Sequence, residues 1–171
     1  MTKKSPKLTK AIESAKSNNI VIIASKGDQG NNQKSVYPAD YDEVISISSL
    51  TNLGKQAEST ELNASYFFLG EDVRIPAEPS YLETRGRASG SSVATAIAAG
   101  IAALILSCYR LANKTAAMDR IETVKDYLNR MTAGSPESNR YVRPWVVFKD
   151  RRMSPVDGEK WLQKHFEDDD Y

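Results

Sequence analysis

Gly90-Ser91-Ser92 stands immediately ahead of a long, alanine-rich apolar run, and that arrangement is where a serine hydroxyl in this chain could do chemistry. Gly90 lets the backbone turn tightly. A helix that starts there gathers unpaired N–H groups and the positive end of its dipole. Such a terminus can steady an oxyanion or a phosphate. Ser92 is therefore the candidate nucleophile. A hydroxyl is a poor nucleophile near neutral pH unless a base takes its proton. The only histidine, His165, follows Ser92 by more than seventy residues and sits in a charged tail beside Trp161 and residues 167–170. It reads as a solvated tail residue, so the architecture of a serine nucleophile is expected without a general base. Two plainer readings of the pattern stay open. In one, Ser91 or Ser92 caps a core helix. In the other, the turn from Gly90 to Ser92 binds an anion.

The elements that must position Ser92 follow from pattern. Residues 93–106 are almost all apolar, which is too short for a span of about 20 residues and reads as a buried helix. Gly100 is expected to let another element pack close to it. Residues 1–18 form one amphipathic helix, with Ser5 as cap, Pro6 in the first turn and Leu8, Ala11, Ile12 and Ala15 on one face. Residues 19–25 (NIVIIAS) are continuous and β-branched, as in a strand buried on both faces. Residues 44–49 (VISISS) and 66–74 read as further strands. Residues 115–131 are an amphipathic helix, carrying Met118, Ile121, Val124, Tyr127, Leu128 and Met131 at helical spacing and ending at Gly134-Ser135-Pro136. Residues 140–149 read as an extended arm packing Tyr141, Trp145 and Phe148. A last short helix is expected over 153–165.

These pieces together resemble the subtilisin-like serine proteases. Gly90-Ser91-Ser92-Val93-Ala94-Thr95, then Ala99-Gly100, is similar to that family's nucleophile block, Gly-Thr-Ser-Met-Ala-Thr-Pro-His-Val-Ala-Gly. Ser91 stands for Thr, Val93 for Met, and Ala96-Ile97 for Pro-His. The Gly-Ser-Ser-Val form resembles a subset of fungal, intracellular-type subtilase domains. Upstream, Gly27-Asp28-Gln29-Gly30 is similar to the Ala-Gly-Asn-x-Gly loop whose Asn donates to the oxyanion, with Asp28 at the Asn position. Tyr37-Pro38-Ala39, the strand over 44–49 and Ile75-Pro76 follow in the family's order. The resemblance covers about residues 20–106. It implies that Ser92 is the catalytic nucleophile and that Asp28 stands at the oxyanion hole. A neutral amide donates to an oxyanion, whereas an ionised carboxylate repels it, so Asp28 departs from the family where the chemistry is sensitive.

In subtilisins the triad runs Asp, His, Ser along the chain. The helix over residues 1–18 contains neither an Asp nor a His. The expectation is therefore an α/β fold, the C-terminal half of a three-layer subtilisin-like sheet. Residues 1–110 would form that half-domain. Residues 111–171 would be a helical and extended addition packed on it or partly flexible. The implied function is a serine endopeptidase domain, incomplete and inactive as an isolated chain. The alternative is a non-catalytic pseudo-protease or interaction module on the same scaffold. A peptide or protein substrate is implied once the other half is supplied.

The 23 basic and 22 acidic residues nearly balance, so no nucleic-acid or membrane partner is expected. The single cysteine, Cys108, excludes an internal disulfide. The N-terminal residues read as an amphipathic segment rather than a secretory leader, so an intracellular, cytoplasmic setting is expected. No metal or other cofactor is expected. The strand over residues 20–25 would present an open edge, inviting self-association, a partner strand, or shielding by the tail around Trp145–Phe148.

Overall fold

The computed structural model describes residues 4–28, 35–55, 63–75, 86–112, 119–132, 140–148 and 160. The first helix, α1 (Pro6–Ser17), begins as its sequence dictates. Ser5 is extended, and its Oγ accepts the Leu8 N–H at 3.2 Å, with Pro6 next to it. Lys16 falls in the last turn, where a cation suits the helix dipole. Ile12 is the residue α1 buries.

Three strands form a parallel sheet in the order β1 (Ile23–Ser25), β2 (Ile45–Leu50), β3 (Tyr66–Leu69). β2 is central and buried along its whole length. Alternation along the strands serves two cores. Ala24 and Val44 pack with Ile12, Ala39 and Tyr41 under α1, while Ile45, Ile47, Tyr66 and Phe68 face the other helices. The result is a three-layer α/β arrangement. The long apolar run over 19–25 yields only a short strand, because pairing with β2 begins at the Ile22 carbonyl. The stretch read as one strand over 66–74 is two. Asp72 adopts a positive φ of 55°, and β4 (Val73–Arg74) leaves the sheet to pair antiparallel with β5 (Arg87–Ala88).

Lys26 continues β1 on the α1 side of the sheet. Its ammonium ion-pairs with Asp40, whose other oxygen accepts the Val36 N–H. This pair ties the loop after β1 to the segment that leads into β2.

The long helix α2 (Ser91–Leu111) crosses the sheet on Ala94, Ala98 and Ala102, followed by Ile105 and Cys108. Small side chains at four-residue spacing bring its axis close to β1 and β2. By length and composition alone α2 could cross a membrane, but this face is sealed on the sheet. The expectation of burial all round is corrected. Ala96, Ala99, Gly100, Ala103, Leu104 and Ser107 are exposed, and a Cβ placed on Gly100 would meet nothing within 4 Å. Among the described residues, no element uses the close approach that Gly100 permits.

α3 (Arg120–Met131) starts at Asp119, whose carboxylate accepts the Ile121 and Glu122 N–H groups. It buries Ile121, Val124, Tyr127, Leu128 and Met131, the residues its spacing selects; Met118 lies outside the described residues. The Tyr66 hydroxyl donates to Asn129 Oδ1 at 2.8 Å and joins β3 to α3, and burial pushes this phenol above its usual range. The tail runs along the outer edge of β3. The Phe67 N–H reaches the Arg140 carbonyl at 3.0 Å, and the Val142 N–H returns to the Phe67 carbonyl at 2.8 Å. Residues 140–142 of the tail thus pair with the edge of the sheet opposite β1. Val142 is its buried anchor, whereas Trp145 is 58% exposed, contrary to the packing expected of it. The expected helix over 153–165 and His165 lie outside the described residues, Lys160 excepted.

Candidate active site

In a parallel sheet, ligands bind beyond the carboxyl ends of the strands. Here those ends, at Ser25 and at Gly70 after β3, converge on the start of α2. Gly90 precedes the helix with φ of 128°, a conformation that side chains disfavour. Its N–H donates to the Gly70 carbonyl at 2.7 Å, and its carbonyl accepts from Val93 and Ala94. Gly90 is the cap position, and no serine side chain caps α2. The reading in which Ser91 or Ser92 caps the helix is corrected, because Gly90 takes the cap position and both serines already lie within the first turn.

Ser91 is buried and points at β1. Its Oγ lies 2.5 Å from Ser25 Oγ, which also accepts the Gly27 N–H at 3.2 Å. The Ser91 N–H donates to Asp28 Oδ1 at 2.8 Å. A carboxylate thus satisfies one of the orphan donors at the positive end of α2, as helix electrostatics favour. The second oxygen, Asp28 Oδ2, lies 3.0 Å from the point where a Gly90 Cβ would sit, and Ser92 Oγ lies 3.7 Å from that same point. Asp28 and Ser92 therefore flank one small space above Gly90. Ser92 is exposed there. Among the described residues neither its hydroxyl nor its N–H has a hydrogen-bond partner, which leaves an outward nucleophile beside an open donor.

Among the described residues there is no histidine to serve Ser92 as a base. Among the described residues the nearest basic side chain along this loop is Lys26, but it lies on the α1 side of the sheet, committed to Asp40. Cys108 is buried in the core beneath α2, where desolvation pushes its thiol up and keeps it protonated, so it offers no competing nucleophile.

Two positioning residues were not singled out from sequence. Ser25 seats Ser91, a contact across 66 residues with no local signature. Gly70 is a lone glycine at a strand end. A Cβ on Gly70 would lie 2.6 Å from Ser49 Cβ, 2.9 Å from the Gly90 carbonyl and 3.0 Å from Ala94 Cβ. Gly70→Ala should accordingly push the start of α2 off the sheet and cost about 1–3 kcal/mol, the usual range for overpacking. Urea denaturation measures this. A midpoint equal to that of the parent chain would show that β3 and α2 do not touch at Gly70.

The peptidase S8 model, the subtilase family, matches residues 1–143. The chain belongs to the subtilase family. Subtilisin amylosacchariticus from Bacillus subtilis subsp. amylosacchariticus is 30% identical over 125 residues, which are 71% of this chain and 32% of that protein. Subtilisin of Bacillus pumilus is 29% identical over 125 residues, 71% of this chain and 45% of that protein. Among solved structures, the prenylagaramide maturation protease PagA superposes with a TM-score of 0.66 at 20% identity, over 96% of this chain and 57% of that one. The PatG macrocyclase domain gives 0.67 at 20% identity, over 85% and 47%. These likenesses establish the subtilisin-like fold. The chain spans about a third to under half of the subtilisins it matches and about half of the solved chains. Within that fold Ser92 lies in the first turn of the long helix α2, and Asp28 follows the end of β1 at Ser25.

Proposed function

We propose that this chain is the nucleophile-bearing half of a subtilisin-like serine endopeptidase. Ser92 attacks the scissile carbonyl of a peptide, and an Asp and a His supplied from outside these 171 residues complete the triad. The observation that carries the reading is the exposed Ser92 on the first turn of α2, whose hydroxyl and N–H meet no hydrogen-bond partner among the described residues. The Ser92 N–H is one oxyanion donor. Asp28 stands on the oxyanion side, where a carboxylate accepting the Ser91 N–H weakens the hole rather than completing it. A peptide is the substrate class proposed; a PatG macrocyclase has been solved in complex with peptide.

The chain alone is expected to react slowly with a fluorophosphonate, because nothing takes the proton from Ser92. Joined to an Asp- and His-bearing subtilase half, it should label rapidly, with the adduct on the peptide containing Ser92. Rapid labelling of the isolated chain would mean that a base lies within it. An assembled domain that stays unlabelled would favour a non-catalytic module.

A further inference from the structure

We propose that Lys26, through its ion pair with Asp40, is a positioning residue for the loop after β1, and that it fixes where the side chain of residue 28 lies beside Ser92. The inference rests on the reading of Ser92 as a protease nucleophile. Lys26 stands where the family's loop carries Ala, and it takes no part in the chemistry at Ser92 itself. Side chains alternate along β1, so Ser25 turns to α2 and meets Ser91, while Lys26 turns to the α1 layer. There its ammonium, on a residue only 9% exposed, pairs with Asp40. Asp40 belongs to a turn that is itself held. Its second carboxylate oxygen accepts the Val36 N–H, and its own N–H donates to the Val36 carbonyl at 2.9 Å. The Tyr41 N–H donates to the Pro38 carbonyl at 3.1 Å, and the Tyr41 hydroxyl lies 2.8 Å from Thr9 Oγ1 on α1. Lys26 is thus received by a carboxylate whose place is already set.

The anchor acts on the two residues that follow it. Gly27 sits at a φ of 94°, where glycine is at ease and other residues are strained. Asp28 is therefore joined to β1 through a pivot with no side chain of its own. The Gly27 N–H bonds to Ser25 Oγ at 3.2 Å, and beyond the pivot Asp28 Oδ1 accepts the Ser91 N–H at 2.8 Å. These contacts lie on the α2 face of the sheet, and the Lys26–Asp40 pair holds the same loop from the α1 face. Stability alone does not account for Lys26. Two charges taken out of water lose about as much hydration as they regain in attraction, so apolar side chains often serve a fold as well. An ion pair instead specifies one arrangement, because ammonium and carboxylate must meet. An Ala at 26 would leave the loop and the 36–40 turn without this link. Asp28 Oδ2 borders the small space that Ser92 Oγ also borders. A shift of about 1 Å in the loop would move the group that faces the reacting oxygen, and a displacement of that size can cost about 10²-fold in rate.

Nuclear magnetic resonance of the Ser91 amide in this chain supplies the test. The first turn of α2 holds no acidic side chain, so the Ser91 amide shift follows the charge on Asp28. In Lys26→Met, hydrogen exchange at Ser91 and Gly27 should quicken by about tenfold, while Val142, bonded at the opposite edge of the sheet, keeps the parent rate. The swing of the Ser91 amide shift between neutral and acid pH should fall to about half that of the parent, as a charge-assisted bond loosens. Lys26→Arg keeps a cation within reach of Asp40 and should restore both readings. Asp40→Asn breaks the pair from the other side and should repeat the Lys26→Met result, so it carries the test where Lys26→Met does not fold. In a domain completed by an Asp- and His-bearing half, the gain in kcat from Asp28→Asn should be about fivefold smaller on the Lys26→Met background. Several results overturn the proposal: an unchanged Ser91 amide in a folded variant, equal quickening at Val142, a Lys26→Arg chain that restores nothing, two pair-breaking variants that both fail to fold, or the same Asp28→Asn gain on both backgrounds. A responsive Ser91 amide in a completed domain that never labels with fluorophosphonate would sink the protease reading and spare the positioning. Rapid labelling with an unresponsive Ser91 amide would do the reverse.

Discussion

Ser92→Ala, in a chain assembled with its complementing half, should lower kcat for peptide hydrolysis by about 10⁶-fold, the loss that follows removal of the nucleophile in subtilisin. The fold should not register the change. Ser92 is exposed, α2 is capped at Gly90 with no serine side chain involved, and among the described residues the Ser92 hydroxyl bonds to nothing. The substitution should shift stability by no more than about 0.5 kcal/mol, as expected of a surface site free of special contacts. The pairing of a very large kinetic effect with a negligible thermal one separates a nucleophile from a structural serine. Ser91→Ala supplies the contrast, because Ser91 is buried and its hydroxyl meets Ser25. A kcat for Ser92→Ala within tenfold of the parent would remove Ser92 from the chemistry. A clear loss of thermal stability would show that its hydroxyl supports the helix.

Much of the fold was legible in the sequence, and the residues show why. Ser5-Pro6 fixed the start of α1 through local capping, and the 3.6-residue spacing of Ile121, Val124, Leu128 and Met131 selected the buried face of α3. The Ser92 block was legible because a short run of residues carries it. The orientation of α2 was not. A helix apolar on nearly every side has no polar stripe to mark the solvent face, so Ala99 and Gly100 looked like core until the sheet took Ala94, Ala98 and Ala102 instead. The aromatic arm misled for a similar reason, since Trp145 carried the larger apolar surface yet Val142 took the buried position beside β3. At the site, the bonds that join Asp28 to Ser91 and Ser25 to Ser91 span 63 and 66 residues, beyond the reach of any local pattern.

The Asp28–Ser91 bond leads to the second large effect. Asp28→Asn in the assembled domain should raise kcat by about 10²–10³-fold, the reverse of the loss caused by deleting one oxyanion donor. The geometry needs no rearrangement. An asparagine amide is isosteric with the carboxylate, and its Oδ1 can still accept the Ser91 N–H that Asp28 now accepts at 2.8 Å. Its Nδ2 then replaces Oδ2, the oxygen lying 3.0 Å from the Gly90 Cβ point on the side that Ser92 Oγ also borders. A donor joins the open Ser92 N–H, where before there was an acceptor that repels developing negative charge. The helix loses a carboxylate at its positive end, worth about 0.3–1 kcal/mol, so the variant should be slightly less stable as it becomes much faster. Asp28→Ala tells the two contributions apart, since it removes the repulsion without adding a donor and should gain less than Asp28→Asn. Steady-state kinetics on one peptide substrate at saturating concentration decide the matter. A kcat for Asp28→Asn equal to or below that of the parent would place the oxyanion away from Asp28 and leave that residue as the electrostatic cap of α2 alone.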